Sequence, residues 1–339
     1  MALAARFDLE IVQYDVINAF INAQRGSKSS PLYCQLPDGF KEPGKCAKIN
    51  RALYGLRDSP ALWFEELCGT LTGLGLTQCK EDHCIFVDKH QKVIVLFFVD
   101  DILLLYHLDN ADKAQGIVAG VKQAYELREI GEAKWFLGIR ITRNRELGTL
   151  TLTHDTYIEK IAHKFGLTDG SSPSTPLPIL ELLKNKGQAP PSQVKEFQEK
   201  VGSILYTAIM IRADAAFAAS QLSHHLLNPS PELMTAVNWC IRYLFGTRFL
   251  GIIYRKELTE TQLMIASDAS YADDPETRRS SQGYTISLFG GLIAWKATRQ
   301  TTVTTSTTEA ELKGVSETAK EALALKRLFA ELQLELGEP

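Results

Sequence analysis

Two adjacent carboxylates, Asp100 and Asp101, interrupt a long apolar run, Val93-Ile94-Val95-Leu96-Phe97-Phe98-Val99-Asp100-Asp101-Ile102-Leu103-Leu104-Leu105. The β-branched, aromatic and aliphatic residues on either side read as the two buried strands of a hairpin, with the acids at its tip. Carboxylates beside buried strands are costly unless cations or hydrogen-bond donors meet them, and no Lys, Arg or His stands in this stretch. A divalent metal would supply the missing charge, and oxygen ligands suit Mg²⁺. Asp is also a common turn residue, so these residues alone fit a plain hairpin equally well. Asp15 adds a third acid. It closes the strand-like Leu9-Glu10-Ile11-Val12-Gln13-Tyr14 and precedes Val16-Ile17-Asn18-Ala19-Phe20. Carboxylates converging from different strands can hold paired metal ions for phosphoryl transfer.

Asp268 lies in another strand-like stretch, Leu263 to Ala272, where an acid is unfavourable without a partner. Strands over Gly283–Phe289 and Leu292–Lys296 follow, joined by Gly290-Gly291, and Ser306-Thr307-Thr308-Glu309 opens a helix carrying Leu312, Val315, Ala319 and Leu323. Ser306 with Glu309 is a capping box, so Glu309 has a local role open to it beside a chemical one. Lys160 and Lys164, four apart, share a helix face, either solvated or facing nucleic-acid phosphates. The six cysteines form no C-x-x-C pair. Cys79 and Cys84 with His83 lack a fourth ligand and read as core thiols.

These residues need elements to hold them. A helix opens at Pro60, with Leu62, Trp63, Leu67 and Leu71 on one face and Trp63 as a core anchor. Another helix runs near Ala111 to Leu127, and Leu150 to Gly166 reads as a strand feeding a helix. Ser171 to Ser192 carries Pro173, Pro176, Pro178, Pro190 and Pro191 and reads as a linker. From Val201 to Thr247 the pattern is helical. At 339 residues the chain holds two or three domains. Its 45% hydrophobic and 23% charged residues suit packed, soluble cores. A net charge of -3 is unlike that of a free nucleic-acid-binding domain. The one locally basic segment is 134–164, with 6 basic and 3 acidic residues, against 14 and 18 over 1–133. No secretory signal or apolar run of transmembrane length is present, which fits a reducing intracellular location, cytoplasmic or nuclear, away from membranes.

The chain resembles the reverse transcriptase region of Ty1/copia-type retrotransposon polyproteins. Asp15-Val16-Ile17-Asn18-Ala19-Phe20 is similar to that family's first catalytic motif, and Phe98-Val99-Asp100-Asp101 to its second, which usually has Tyr where Phe98 stands. Pro37-Asp38-Gly39-Phe40 resembles its Pro-x-Gly-Phe segment. Arg51-Ala52-Leu53-Tyr54-Gly55-Leu56-Arg57-Asp58-Ser59-Pro60 resembles its Ala-Leu-Tyr-Gly-Leu-Lys-Gln-Ser-Pro box. Two residues depart from that pattern, Asp58 for Gln and Ala61 for Arg. Because the box lies near nucleotide and template in the family, Asp58 is expected to oppose phosphates. Gly131 to Ile139 resembles the primer-grip region, and Asp268 with Glu309 resembles the start of a ribonuclease H domain.

The resemblance implies an α+β fold. It consists of a right-hand polymerase palm and thumb over 1–170 with incomplete fingers, the linker 171–192, a helical connection 193–258, and a partial ribonuclease H-like domain 259–339. It implies an RNA-directed DNA polymerase using Mg²⁺, with Mn²⁺ as substitute, dNTPs, and a primer on an RNA or DNA template, beside other products of the polyprotein. Asp15, Asp100 and Asp101 would be the polymerase's catalytic and metal-binding carboxylates, with Asp268 and Glu309 in that role for RNA cleavage. Phe20 would exclude a 2′-hydroxyl and Arg57 would meet the nucleotide, while Lys160 and Lys164 would meet primer phosphates. Only fourteen residues precede Asp15, and the chain stops before the family's next ribonuclease H aspartate. On that basis the chain resembles a family member truncated at both ends, with weak polymerisation and background RNA cleavage. Two other readings are a catalytically impaired remnant that binds nucleic acid or a protein partner, and another palm enzyme such as a nucleotide cyclase. The match through the later segments disfavours the cyclase.

Overall fold

The computed structural model describes residues 1–26, 30–90, 92–178, 185–257 and 262–334. The middle of the proline-rich segment and the predicted 258/259 boundary lie outside them. The fold is mixed α and β with several small sheets. It divides into two compact units, one built on Leu9–Ala133 and the other on Met1–Asp8 with Lys134–Lys326. The opening helix α1 (Ala2–Arg6) belongs to the second.

The first unit contains strand β1 (Glu10–Val16), helix α2 (Ala19–Asn22) and a small hairpin of β2 (Tyr33–Cys34) and β3 (Ala47–Lys48). Helix α3 (Ser59–Gly73) leads to β4 (Leu76–Gln78), β5 (Ile85–Asp88), β6 (Val93–Phe98) and β7 (Asp101–Tyr106). Helix α4 (Ala111–Ala124) and β8 (Leu127–Glu132) complete it. The larger sheet has the order β4-β5-β6-β7-β1-β8, so the last two strands bracket β1, the carrier of Asp15. The apolar run predicted as a hairpin is β6 and β7, and its apolar density follows from a central position in the sheet. α3 begins with Pro60 in its first turn, where a missing N–H costs nothing. It buries Trp63, Leu67 and Leu71 at four-residue spacing, while α4 buries Ala114, Ile117, Val118 and Val121. These side chains pack with Phe86, Val95 and Leu104 of the sheet in one core. Each large one contributes about 1.5–3 kcal/mol by leaving water. Cys79 is buried and Cys84 half-buried, as expected of packed thiols, and burial pushes the Cys79 thiol up to about 11.

In the second unit β9 (Trp135–Phe136), β10 (Ile139–Asn144), β11 (Thr149–Thr153) and β12 (Ile252–Arg255) form a sheet of order β12-β11-β10-β9. The turn between β9 and β10 is Leu137-Gly138, both at positive φ, 51° and 79°, as a two-residue I′ hairpin requires. Four helices follow: α5 (Asp155–Lys164), α6 (Pro191–Met210), α7 (Ala216–Ser223) and α8 (Pro231–Gly246). They share a core of Phe197, Ile204, Leu222, Leu233 and Leu244. The described ends of the proline-rich segment are tied to these helices. The Trp239 indole N–H donates to the Thr175 carbonyl (2.9 Å), and the Asn185 amide donates to the Pro229 carbonyl (3.0 Å).

The predicted β-β-β-α order is present as β13 (Leu263–Ser270), β14 (Ser281–Leu288), β15 (Gly291–Arg299) and α9 (Thr307–Glu331). The strands form a meander in which β13 pairs with β14 and β14 with β15. α9 does not bury the apolar positions conspicuous in its sequence: Leu312, Val315 and Leu323 are exposed, while Ala310 and Thr318 are buried. A close approach decides the orientation. A Cβ on Gly314 would stand 3.2 Å from the Ser267 hydroxyl of β13, so the face with Gly314 is the one that fits against the sheet. Among the described residues, no helix is long and apolar enough to cross a membrane.

Candidate active site

Asp15 lies directly opposite Asp101 across the β1–β7 pair. Residues opposite each other on neighbouring strands project from the same face, so these carboxylates leave the sheet together. Gln13, two residues before Asp15, shares that face, and its amide donates to Asp101 Oδ1 at 2.9 Å. Arg128 on β8 donates to Asp15 Oδ2 at 2.7 Å. Asp100 is the second residue of the loop joining β6 to β7, and its carbonyl accepts the Val16 amide at 2.8 Å. Residues far apart in sequence thus gather at one end of the sheet.

The electrostatics at this end are unbalanced. Burial raises the Asp101 pKa first. The Gln13 hydrogen bond and Arg128 pull it down, the negative charges of Asp100 and Asp15 push it up, and the net shift is upward. Among the described residues no three His, Cys, Asp or Glu side chains form a metal-ligand group by themselves. The arrangement comprises two facing carboxylates, a third on the adjacent loop and one arginine. The donor set is all oxygen and its negative charge is under-compensated at Asp101, so it fits a hard divalent cation such as Mg²⁺.

The raised Asp101 pKa has a consequence for stability. The folded chain keeps that proton to higher pH than the unfolded chain, so stability falls as pH rises through the interval above the ordinary carboxylate value. Asp101→Asn removes the penalty. The variant's melting midpoint at pH 7 should exceed the parent's, and the gap should close as the pH falls below the ordinary carboxylate range. A lower midpoint at pH 7, measured by circular dichroism, would show that burial and the neighbouring carboxylates do not penalise the charged Asp101.

The loop itself is strained. Val99 has φ 56°, and a β-branched residue in the left-handed region costs on the order of 1–3 kcal/mol. The Trp63 indole N–H donates to the Val99 carbonyl at 2.7 Å. Trp63 is the core anchor the sequence predicts, only 1% exposed, and it also bonds to the loop.

Phe20, on α2, is half-buried and meets the exposed ring of Tyr54 at a centroid distance of 4.6 Å. Arg57 is exposed. Asp58 corrects an expectation: its carboxylate is met by Arg25 at 2.7 Å, with the guanidinium buried, so its charge is neutralised locally and does not simply oppose a phosphate.

In the second unit Lys160 is exposed, and Lys164 is exposed but paired with Glu199 at 2.8 Å. The basic segment 134–164 is largely neutralised in the same way. Arg140 grips Asp155 with two nitrogens, and Arg143 and Arg145 both meet Asp8. Asp268 is exposed on β13. Glu309 caps α9 as predicted in one half, its amide donating to Ser306 Oγ at 3.1 Å. Its carboxylate bonds the Thr305 amide and hydroxyl and pairs with Lys313, and the Thr305 amide leads in holding its pKa down.

A family model described as reverse transcriptase (RNA-dependent DNA polymerase) matches residues 1–179. The chain belongs to the reverse transcriptase family. Relatives extend the likeness along its whole length. A retrovirus-related Pol polyprotein from transposon TNT 1-94 of Nicotiana tabacum is 32% identical over 100% of this chain and 26% of its own length. A transposon Ty1-GR3 Gag-Pol polyprotein of Saccharomyces cerevisiae is 27% identical over 98% of this chain and 20% of its own. A putative transposon Ty5-1 protein of the same yeast is 27% identical over 91% of this chain and 99% of its own. The chain is thus of the Ty1/copia type, and it spans about a quarter of the tobacco polyprotein.

The sequence by itself did not single out Gln13, Arg128, Arg25 or the Trp63 N–H. Gln13 was within reach, because strand period two puts it on the Asp15 face. Arg128 and Arg25 make contacts across long sequence separations, and nothing local marks them.

Proposed function

We propose that this chain is the nucleotidyl-transferring part of a Ty1/copia-type retrotransposon polyprotein, an RNA-directed DNA polymerase extending a primer on an RNA or DNA template with dNTPs. The observation that carries the reading is the cross-strand pairing of Asp15 with Asp101 beside Asp100, with the negative charge at Asp101 under-compensated. Mg²⁺, when bound by these three carboxylates, would neutralise the triphosphate and favour ionisation of the primer hydroxyl. The protein's part is to hold the acids on one face of a rigid sheet. Gln13 orients Asp101 through a hydrogen bond, and Arg128 holds Asp15 until the cation competes for it. Phe20, with Tyr54 against it, stands as the barrier to a 2′-hydroxyl, and Arg57 is the exposed cation for the nucleotide's phosphates.

The division proposed from the sequence goes with this reading: palm and thumb to residue 170, a linker to 192, a helical connection to 258, then a ribonuclease H-like part. Lys160 would touch primer phosphates directly, and Lys164 would first have to exchange Glu199 for them. Asp268 and Glu309 would be the first two acids of the RNA-cleaving site, with Glu309 trading its contact to Lys313 for a metal. The occupied state of Glu309 and the Arg128 contact at Asp15 favour a second reading, a nucleic-acid-binding remnant of low activity.

Primer extension with dTTP on an oligo(dT)-primed poly(rA) template separates the two. Extension that requires Mg²⁺ or Mn²⁺ and is lost in Asp100→Asn supports the polymerase. Binding of the primed template without extension in either metal supports the remnant.

A further inference from the structure

We propose that Trp63 is a positioning residue for the carboxylate loop, its indole N–H setting the direction in which Asp100 presents its oxygens. The consequence for catalysis rests on the polymerase reading above, whereas the hold on the loop rests on geometry alone.

Val99 and Asp100 are the two loop residues between β6 and β7, since Phe98 pairs with Asp101. A two-residue hairpin loop with positive φ at its first position wants glycine there. The chain has valine at φ 56°, one of the residue types least suited to that region. Nothing in Phe98-Val99-Asp100-Asp101 favours this conformation locally, so contacts from elsewhere must impose it. The bond from Trp63 Nε1 to the Val99 carbonyl, 2.7 Å long, is such a contact. With Trp63 1% exposed, water has little access to replace the bond.

Trp63 is itself fixed. Its ring meets Tyr125 edge to face at 5.1 Å, and the Tyr125 hydroxyl lies 2.5 Å from Thr70 Oγ1 of α3. The carbonyl of Asp100 is taken from a different element, by the Val16 amide of β1 at 2.8 Å. The peptide planes before and after Asp100 are therefore each pinned, one by α3 and one by β1. Two pinned planes determine the Cα–Cβ direction of the residue between them. Asp100 thus takes its aim from the indole N–H on one side and from the strand of Asp15 on the other. A tryptophan needed only to fill the core would depend on its ring, while a positioning tryptophan depends on the N–H.

Trp63→Phe keeps an aromatic ring and removes that donor. Mn²⁺ affinity, measured by titration calorimetry without nucleotide or nucleic acid, should fall by about tenfold or more, as when a group orienting a metal ligand is lost. In primer extension kcat should fall by about tenfold or more while KM for dNTP stays within about twofold, because misaimed reacting groups chiefly lose rate. Val99→Gly in the Trp63→Phe background should restore most of both, since glycine adopts positive φ without an external hold. Val99→Ala should not. Parent-like Mn²⁺ binding in Trp63→Phe, or equal rescue by alanine, would overturn the proposal. Should Trp63→Phe fail to fold, the unsubstituted chain still decides: a scalar coupling across the hydrogen bond, between the Trp63 indole nitrogen and the Val99 carbonyl carbon, is expected by NMR, and its absence refutes the hold. A parent that shows this coupling but neither binds Mn²⁺ nor extends a primer would defeat the polymerase reading while leaving the hold on the loop intact.

Discussion

Asp100→Asn and Asp15→Asn should each lower primer extension by about 10³-fold or more, whereas Asp101→Asn should lower it by only about tenfold. Electrostatic stabilisation of a transferring phosphoryl group through bound metal is worth several kcal/mol, and each 1.36 kcal/mol is about a factor of ten in rate. The ranking comes from the geometry. Asp101 is buried enough to raise its pKa, and one of its oxygens already accepts the Gln13 amide. Its asparagine can still accept that bond, so the loss is mainly one of charge. Asp100 sits on the loop between two pinned peptide planes, with the carboxylate itself as its contribution. Asp15 uses one oxygen for Arg128, and an exposed arginine gives way to a divalent cation at modest cost, since exposed ion pairs contribute about 0–1 kcal/mol. Steady-state extension under saturating dNTP measures the three variants. Equal losses at Asp100 and Asp101 would contradict the ranking, and undiminished extension in Asp100→Asn would remove Asp100 from the chemistry. Circular dichroism must first show that each variant is folded.

Asp214→Ala should cost about 3 kcal/mol of stability, the largest single loss expected from removing one charge in the second unit. Arg212 is 1% exposed. Its guanidinium is bound by both Asp214 oxygens, at 2.9 and 2.7 Å, and by the Thr247 carbonyl and hydroxyl, at 3.0 and 2.7 Å. Without Asp214 the buried cation keeps only neutral acceptors, and the Tyr243 hydroxyl loses the acceptor it holds at 2.7 Å. Arg212→Met should cost less, because it removes the charge that needs compensation. The pH dependence follows with a definite sign. Burial alone would raise the Asp214 pKa, but Arg212 and the Tyr243 hydroxyl pull it below the ordinary value. A depressed folded-state pKa gives stability that is present above the unfolded value and is lost as pH falls through the folded one. Urea melts from pH 7 to pH 2 should show parent and Asp214→Ala converging at the acid end. A gap that widens on acidification would contradict the assignment.

The sequence by itself determined the identity of the elements and the chemistry available to them. The apolar run around Asp100 and Asp101 fixes a hairpin because few other structures bury so many β-branched and aromatic residues in two short stretches. Pro60 and the four-residue spacing of Trp63, Leu67 and Leu71 fix a helix and its inner face. The motif likeness around Asp15, Phe98–Asp101 and Arg51–Pro60 pointed to the family to which the chain belongs. These signals are local, carried by neighbours within one or two turns.

The tertiary structure decided what depends on contacts between distant residues. That Asp15 faces Asp101 is a matter of strand register, and a slip of one residue would turn it to the other face. Arg25 neutralises Asp58, and Asp8 binds Arg143 and Arg145, so charges that looked free in the sequence are already engaged. On α9 the packing of Gly314 against Ser267 outweighed the apolar stripe, because the helix face that comes closest to a sheet must be the one with the smallest side chains. The indole N–H of Trp63 found the Val99 carbonyl for a related reason. Once the ring is buried its donor needs an acceptor, and the carbonyl of a strained loop offered one.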